Sequence, residues 1–317
     1  MQMHEHVLNF QIINSDAGER YIDIAKCMSI VNRKLYRQQG LWHVHGACVY
    51  AHSIQSGQAV GVPFSISFAG APRNWVTRNS LVKAFESWKD QQALAYKAAS
   101  PSIKPKWQDF KIYLNENHRQ NPAKELTPWS GHMFGGSDPF DVGEWRHSKL
   151  VWEEVDSSVV PPTIQKHETD MHILGPDYPG ATGFESVGLI KQYAKSRSRV
   201  QSPDPATLTS LQDNIYTRSE ESIDERAMEI VENMAGDNDQ PPYDVDAYPG
   251  GPSNGYEPVL YGFGANASTG KRKVTINGFS VPNGLLEIQY DKDPPHPADP
   301  NSGELWIQLF VSHREAY

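Results

Sequence analysis

Two stretches near the C-terminus, KRKVTINGFSVPNGLLEIQY at residues 271–290 and GELWIQLFVSHREAY at 303–317, decide the fold class. In the second, Leu305, Ile307, Leu309 and Val311 alternate with Trp306, Gln308 and Phe310, the two-residue period of a strand with one face in a core. The first ends in a run from Leu285 to Tyr290 that reads as its partner strand. Between them DKDPPHPADPNSG supplies Pro and Gly to end each run and carboxylates to keep the connection in water. The expectation is a closing antiparallel pair.

Working outward, the N-terminal text has the same character. VLNFQII at 7–13 predicts a strand. In YIDIAKCMSIV, Ile22, Ile24, Met28 and Ile30 share one parity, which predicts a second. LWHVHGACVYAH predicts a third, with Trp42, Val44, Cys48 and Tyr50 on one face and His43, His45, Ala47 and Val49 on the other. The fourth carries Val60, Val62, Phe64, Ile66 and Phe68, and its Pro63 marks an edge or a bulge. The period then changes to 3.6. Leu81, Phe85, Trp88 and Gln92 predict an amphipathic helix from about Val76 to Ala98, with Thr77 or Asn79 as its N-cap. WQDFKIYL at 107–114, GEWRHSKLVWEEV at 143–155 and HETDMHILG at 167–175 read as further strands, as does EPVLYGFG at 257–264. An acidic helix is expected near residues 222–235, where Ser222 and Glu225 have capping-box spacing.

With 317 residues, 24 Gly and 23 Pro, the pattern describes one mainly β domain over 1–317. The expected fold is an antiparallel jelly-roll sandwich of about eight strands with long helix-containing loop insertions at 70–143 and 175–256. The helices are expected to decorate the sandwich without forming a second core. Cys27 and Cys48 lie in apolar runs and read as buried thiols. The N-terminus shows neither a signal peptide nor a membrane span, so a soluble protein made inside the cell is expected. A net charge of −9 argues against a surface devoted wholly to nucleic acid.

Among residues that could carry chemistry, His43 and His45 stand at i, i+2 on one strand face, as two ligands of one metal ion must. This is the spacing of the cupins, and a cupin-like metal-binding enzyme or small-molecule binding module using this pair is the alternative reading. A cupin also needs a carboxylate a few residues on and a third histidine from a later strand. GACVYAHS after His45 holds no Asp or Glu, so partly exposed polar-face histidines are the favoured account. His4 and His6 repeat the spacing nearer the terminus. No nucleophile elbow, P-loop or dinucleotide fingerprint is present, and no catalytic role is expected. Two basic clusters have aromatic neighbours suited to stacking bases: Lys191, Lys195, Arg197 and Arg199 beside Tyr193, and Lys271, Arg272 and Lys273 between Phe263 and Phe279. Solvated loop charge is the simpler reading of each. No cofactor is implied, although Asp244 and Asp246 could place a structural divalent cation at a subunit contact.

The phrases PFSISFAGAPRNWVTRNSLVKAFESWK, GLIKQYAKSRSRVQSPDP, QPPYDVDAYPGG and KVTINGFSVPNGLLEI, spread over most of residues 60–290, resemble the capsid proteins of small circular single-stranded DNA viruses. The resemblance implies a jelly-roll coat subunit that self-assembles into an icosahedral shell. Its partners would be copies of itself and a packaged genome, expected to be single-stranded DNA, and its location the virion. Many such proteins begin with an arginine-rich arm. This chain has no Lys or Arg before Arg20, so genome binding by it is expected only if the 191–199 or the 271–273 cluster lines the shell interior, with another component or free cations as the alternative source of neutralising charge.

Overall fold

Most of the alternating text becomes strand. The computed structural model describes residues 6–12, 17–55, 58–98, 107–130, 138–156, 163–180, 183–197, 258–267, 273–292 and 304–316. In chain order these form β1 (Val7–Ile12), β2 (Ala17–Asp23), α1 (Ile24–Asn32), β3 (Leu41–Gln55), β4 (Gln58–Gly61), β5 (Phe64–Gly70), α2 (Trp75–Ala98) and α3 (Glu116–Gln120). They continue as β6 (Lys149–Asp156), β7 (Thr163–His172), β8 (Tyr178–Pro179), β9 (Phe184–Gly188), α4 (Leu189–Arg197), β10 (Val259–Asn266), β11 (Lys273–Pro282), β12 (Leu285–Lys292) and β13 (Glu304–Glu315). The acidic helix expected at 222–235 lies outside the described residues.

Two antiparallel sheets make a β sandwich. One has the order β1-β13-β3-β11, with β4 added to the end of β3, and the other the order β10-β5-β12-β2. Their inward side chains share one core, which takes Leu8, Phe10, Val49 and Ile307 from the first sheet and Ile22, Phe68, Leu286 and Ile288 from the second. Apart from β4, the strands pair from the outside of the chain inward: β1 with β13, β2 with β12, β3 with β11 and β5 with β10.

Several local expectations are corrected. The C-terminal pair does not form, because β12 bonds to β2 and β5 while β13 bonds to β1 and β3. Alternation fixes that each strand has a core face but not which strand lies beside it. The run expected as one strand from Val60 to Phe68 divides at Pro63, where β4 in the first sheet gives way to β5 in the second. Proline lacks the N–H that a continuous ladder would need there. YIDIAKCMSIV is half strand and half helix. Asp23 ends β2 and caps α1 by accepting a bond from the Lys26 N–H at 3.0 Å, and Ile24, Ala25, Cys27 and Met28 turn a helical stripe into the core. The cap of α2 is Asn74, whose side chain accepts from the Thr77 N–H at 2.9 Å, in place of Thr77 or Asn79.

The face assignment along β3 is corrected too. Trp42 and Val44 are buried in the core before His45, but Ala47, Val49 and Ala51 are the core residues after it. The inward parity thus changes at His45–Gly46. The pairing of β3 with β13 is irregular at the same place, between Phe310 and His313, which is how a bulge re-aims side chains.

Residues 71–258 separate β5 from β10, and their described parts cover the outer face of the second sheet at Tyr21, Leu285 and Glu287, while Phe263 and Gln289 on that face stay exposed. β6 and β7, read from sequence as strands of the sandwich, instead form a separate sheet of order β6-β7-β9-β8 in which β7 and β9 run parallel. The segment at 107–114 is extended but makes a single bridge, Tyr113 to His172. Its Phe110, Ile112 and Leu114 are fully buried, worth roughly 5–9 kcal/mol together in transfer free energy. They pack with Leu81 and Trp88 of α2, Met171 and Ile173, and Val187 and Leu189, and this second core closes on Tyr21 and Leu285 of the sandwich. The helices therefore do build a second core.

Candidate functional sites and association surface

On the outer face of the first sheet, β3 and β13 place His43 and His313 opposite each other. Their rings stack with centroids 4.4 Å apart. Glu315, two residues beyond His313, brings a carboxylate oxygen to 3.4 Å from His43 Nε2 and another to 3.9 Å from His313 Nε2. His43 Nδ1 lies 2.9 Å from Ser280 Oγ of β11, and His313 Nδ1 lies 3.0 Å from Ser312 Oγ. Trp42 and Val44 on either side point into the core, so His43 faces outward, away from the sandwich interior where a cupin would hold its metal. His45, the other half of the expected pair, is exposed at the irregularity and stands outside this group. Its place is taken by His313 and Glu315, which the sequence reading missed. Their i, i+2 spacing in SHRE was visible, but only the pairing of β3 with β13 brings them to His43.

The basic clusters behave differently from one another. Lys195 and Lys191 of α4 lie 2.7 and 3.8 Å from a carboxylate oxygen of Asp177. Burial would raise the Asp177 pKa, but bonds from Lys195, Gln192 and the Gly188 N–H hold it below its usual range. This charge serves the packing of α4 on its own sheet. Arg197 ends α4, while Arg199, Lys271 and Arg272 lie outside the described residues, as do Asp244 and Asp246. Lys273 is exposed on β11 with its ammonium 5.5 Å from the Tyr50 ring centre, a cation–π contact on the outer face of the first sheet. The two cysteines are free and buried.

Between the sandwich and the insertion lies a dense set of buried polar groups. Asp23 accepts bonds from Gln38 Nε2 at 2.8 Å and Trp145 Nε1 at 3.2 Å as well as from Lys26 N–H. Gln38 Oε1 in turn accepts from the Ile112 N–H at 2.7 Å. Burial, reinforced by nearby Glu125, pushes the Asp23 carboxyl up to about 7. Glu287 of β12, fully covered by the insertion, accepts from Asn115 Nδ2 at 3.0 Å, and burial raises its pKa. Arg119 joins three carboxylates: Glu116 at 2.6 Å, Glu185 at 2.9 Å and Asp170 at 3.4 Å. Burial holds His118 and His147 down to about 3 and His172 to about 4. These groups tie the layers together. They do not converge on an open cleft.

Large apolar side chains are exposed at several places, among them Trp75 and Leu94 of α2, Trp107 and Val142, and β10 carries three of them on one strand. β10, an edge strand of the second sheet, exposes Val259, Leu260 and Phe263, the last two at 59% and 61%. Its Gly262 and Gly264 lie flat against β11, where added Cβ atoms would meet Ile276 and Val274 at 2.6 and 2.7 Å. Elsewhere α2, α4, β6 and β9 border a groove of about 320 Å³ lined by Leu150, Trp152, Phe184 and Tyr193. Among the described residues no helix is long and apolar enough to cross a membrane. Comparison with protein-family models, curated proteins and solved structures finds no match to this chain.

Proposed function

We propose that this chain is a jelly-roll coat subunit that assembles with copies of itself into a closed shell around a nucleic-acid genome. The observation that carries the reading is the edge strand β10. Three large apolar side chains stand exposed on it, beside backbone groups with no second strand among the described residues. Monomeric proteins blunt such edges with charge, proline or a covering loop, and an exposed apolar edge is a surface for association. The nested pairing of β1 with β13 through β5 with β10 supports the jelly-roll part of the reading, since two Greek keys wound together give that order. Lys191 and Lys195 share the carboxylate of Asp177, and this leaves the 271–273 cluster, where Lys273 stands exposed beside Tyr50, as the better candidate for contact with the genome.

Size-exclusion chromatography and negative-stain imaging of the purified chain test this directly. Megadalton, shell-like particles are expected, and a stable monomer or dimer overturns the proposal. The double variant Leu260→Lys, Phe263→Lys is expected to keep the melting temperature and lose the particles. Changing Lys271, Arg272 and Lys273 together to Ala is expected to lower the nucleic-acid content of particles, read from the 260/280 nm absorbance ratio, without stopping assembly. An unchanged ratio removes that cluster.

A further inference from the structure

We propose that His43, His313 and Glu315 form a binding site for a divalent transition metal of the zinc class on the outer face of the first sheet. One ligand atom from each lies within 4.8 Å of the others. Two imidazoles and a carboxylate are the donor set that borderline ions such as Zn²⁺ take, usually with a fourth position left to water or another donor. Ligands at tetrahedral angles on one zinc ion stand roughly 3.3 Å apart, given metal–ligand bonds of about 2.0–2.1 Å. The 3.4 Å between His43 Nε2 and Glu315 meets that spacing, and the 3.9 Å from His313 Nε2 to the same carboxylate needs only a small side-chain adjustment.

Three further features favour a metal over a simple ion pair. Each histidine has its Nδ1 on a serine hydroxyl, Ser280 for His43 and Ser312 for His313. A ring that donates from Nδ1 keeps its lone pair on Nε2, and this is how protein metal sites fix the tautomer of their histidines. His43 Nε2 is enclosed and makes no hydrogen bond even though Glu315 is near, a state that buried polar atoms rarely keep without a reason. Finally, an ion pair with Glu315 needs one imidazole, whereas here two stack at 4.4 Å beside the one carboxylate. The nearest cation in sequence, Arg314, is turned away and bonds the Gln39 carbonyl at 2.9 Å. His313 and Glu315 are both 58% exposed, so an ion reaches the site from solvent. The ligands come from neighbouring strands of one sheet, which holds them in register before any ion binds.

Isothermal titration of the chelator-treated full chain with Zn²⁺, paired with the visible spectrum of the Co²⁺ form, tests the site. One equivalent per chain and the absorption of tetrahedral Co²⁺ are expected. His43→Ala and His313→Ala should each weaken binding by roughly tenfold or more, and Ser280→Ala, a positioning change, by about 10–100-fold. Glu315→Gln should weaken it while leaving the melting temperature of the metal-free chain within a degree or two. His45→Ala should leave the affinity unchanged. Absence of stoichiometric zinc overturns the proposal. So does binding that survives His313→Ala, or that His45→Ala removes. The site stands or falls independently of shell assembly, because each readout is taken per chain.

Discussion

Asp23 does three things at once: it ends β2, caps α1, and anchors Gln38 and Trp145. Its raised pKa means that the native state holds a proton that the unfolded chain releases, from about pH 4 up to about 7. Taken alone, Asp23 makes stability fall as pH rises through that window. The buried histidines act in the opposite sense. His118, His147 and His172 stay neutral in the native state down to pH 3–4, whereas the unfolded chain protonates them below about 6.5. Their stability is fully present above pH 6.5 and is lost as the pH falls. For these four groups, three protons against one leave an uptake of two on unfolding between pH 6.5 and about 5, a contribution by which stability drops about 2–3 kcal/mol per pH unit there, offset in part by the raised carboxyls of Glu287 and Asp109. Denaturant melts at half-unit steps check this, and a flat profile refutes it. Asp23→Asn should make the acid-side loss steeper, because it removes a group that opposes the histidines. At pH 7 it should also cost about 1–3 kcal/mol, since an amide N–H₂ then faces the donors of Gln38 and Trp145.

At the scale of elements, sequence patterns specified segments better than junctions. The helix α1 was legible in retrospect: Asp23 is a good N-cap residue, and Ile24, Ala25, Cys27, Met28 and Val31 have helical spacing. The competing even parity of Ile22, Ile24, Met28 and Ile30 masked it. The turn between β11 and β12 is decided by backbone conformation. Asn283 and Gly284 take φ values of 56° and 69°, and a Cβ on Gly284 would meet Trp42 Cδ1 at 2.9 Å. Gly284→Ala should therefore destabilise by about 1–3 kcal/mol, measurable as a lower denaturation midpoint with an unchanged slope. Arg119 ties α3 to β7 and β9 through Asp170 and Glu185. Replacing it with Met should cost about 3–5 kcal/mol by stranding the buried Glu116. Changing Glu116 to Gln in the same chain should recover part of that loss.

For the whole molecule, the outer face of the second sheet is the feature no local reading could supply. Tyr21, Leu285 and Glu287 are each almost completely buried there under the insertion. A chain in which residues 71–258 are replaced by a short linker should be insoluble or bind a hydrophobic dye, since it bares this face. The nested pairing also joins β1 to β13 across nearly the full length of the chain, so folding waits on loop closures of high entropic cost and should be slow. Refolding followed by tryptophan fluorescence checks this, with relaxation in milliseconds or faster as the contrary result.

The alternating runs by themselves determined that this protein is mainly β, where most strands of the sandwich lie, that α2 interrupts them, and that His43 belongs on a polar face. Those properties rest on side-chain period, which is local. Only the tertiary structure decided that β12 and β13 stand in opposite sheets, that β6 and β7 belong to a second core, and that His43 meets His313 and Glu315 in place of His45. Each of these depends on which strand lies beside which, and that is set by the packing of side chains hundreds of residues apart in sequence.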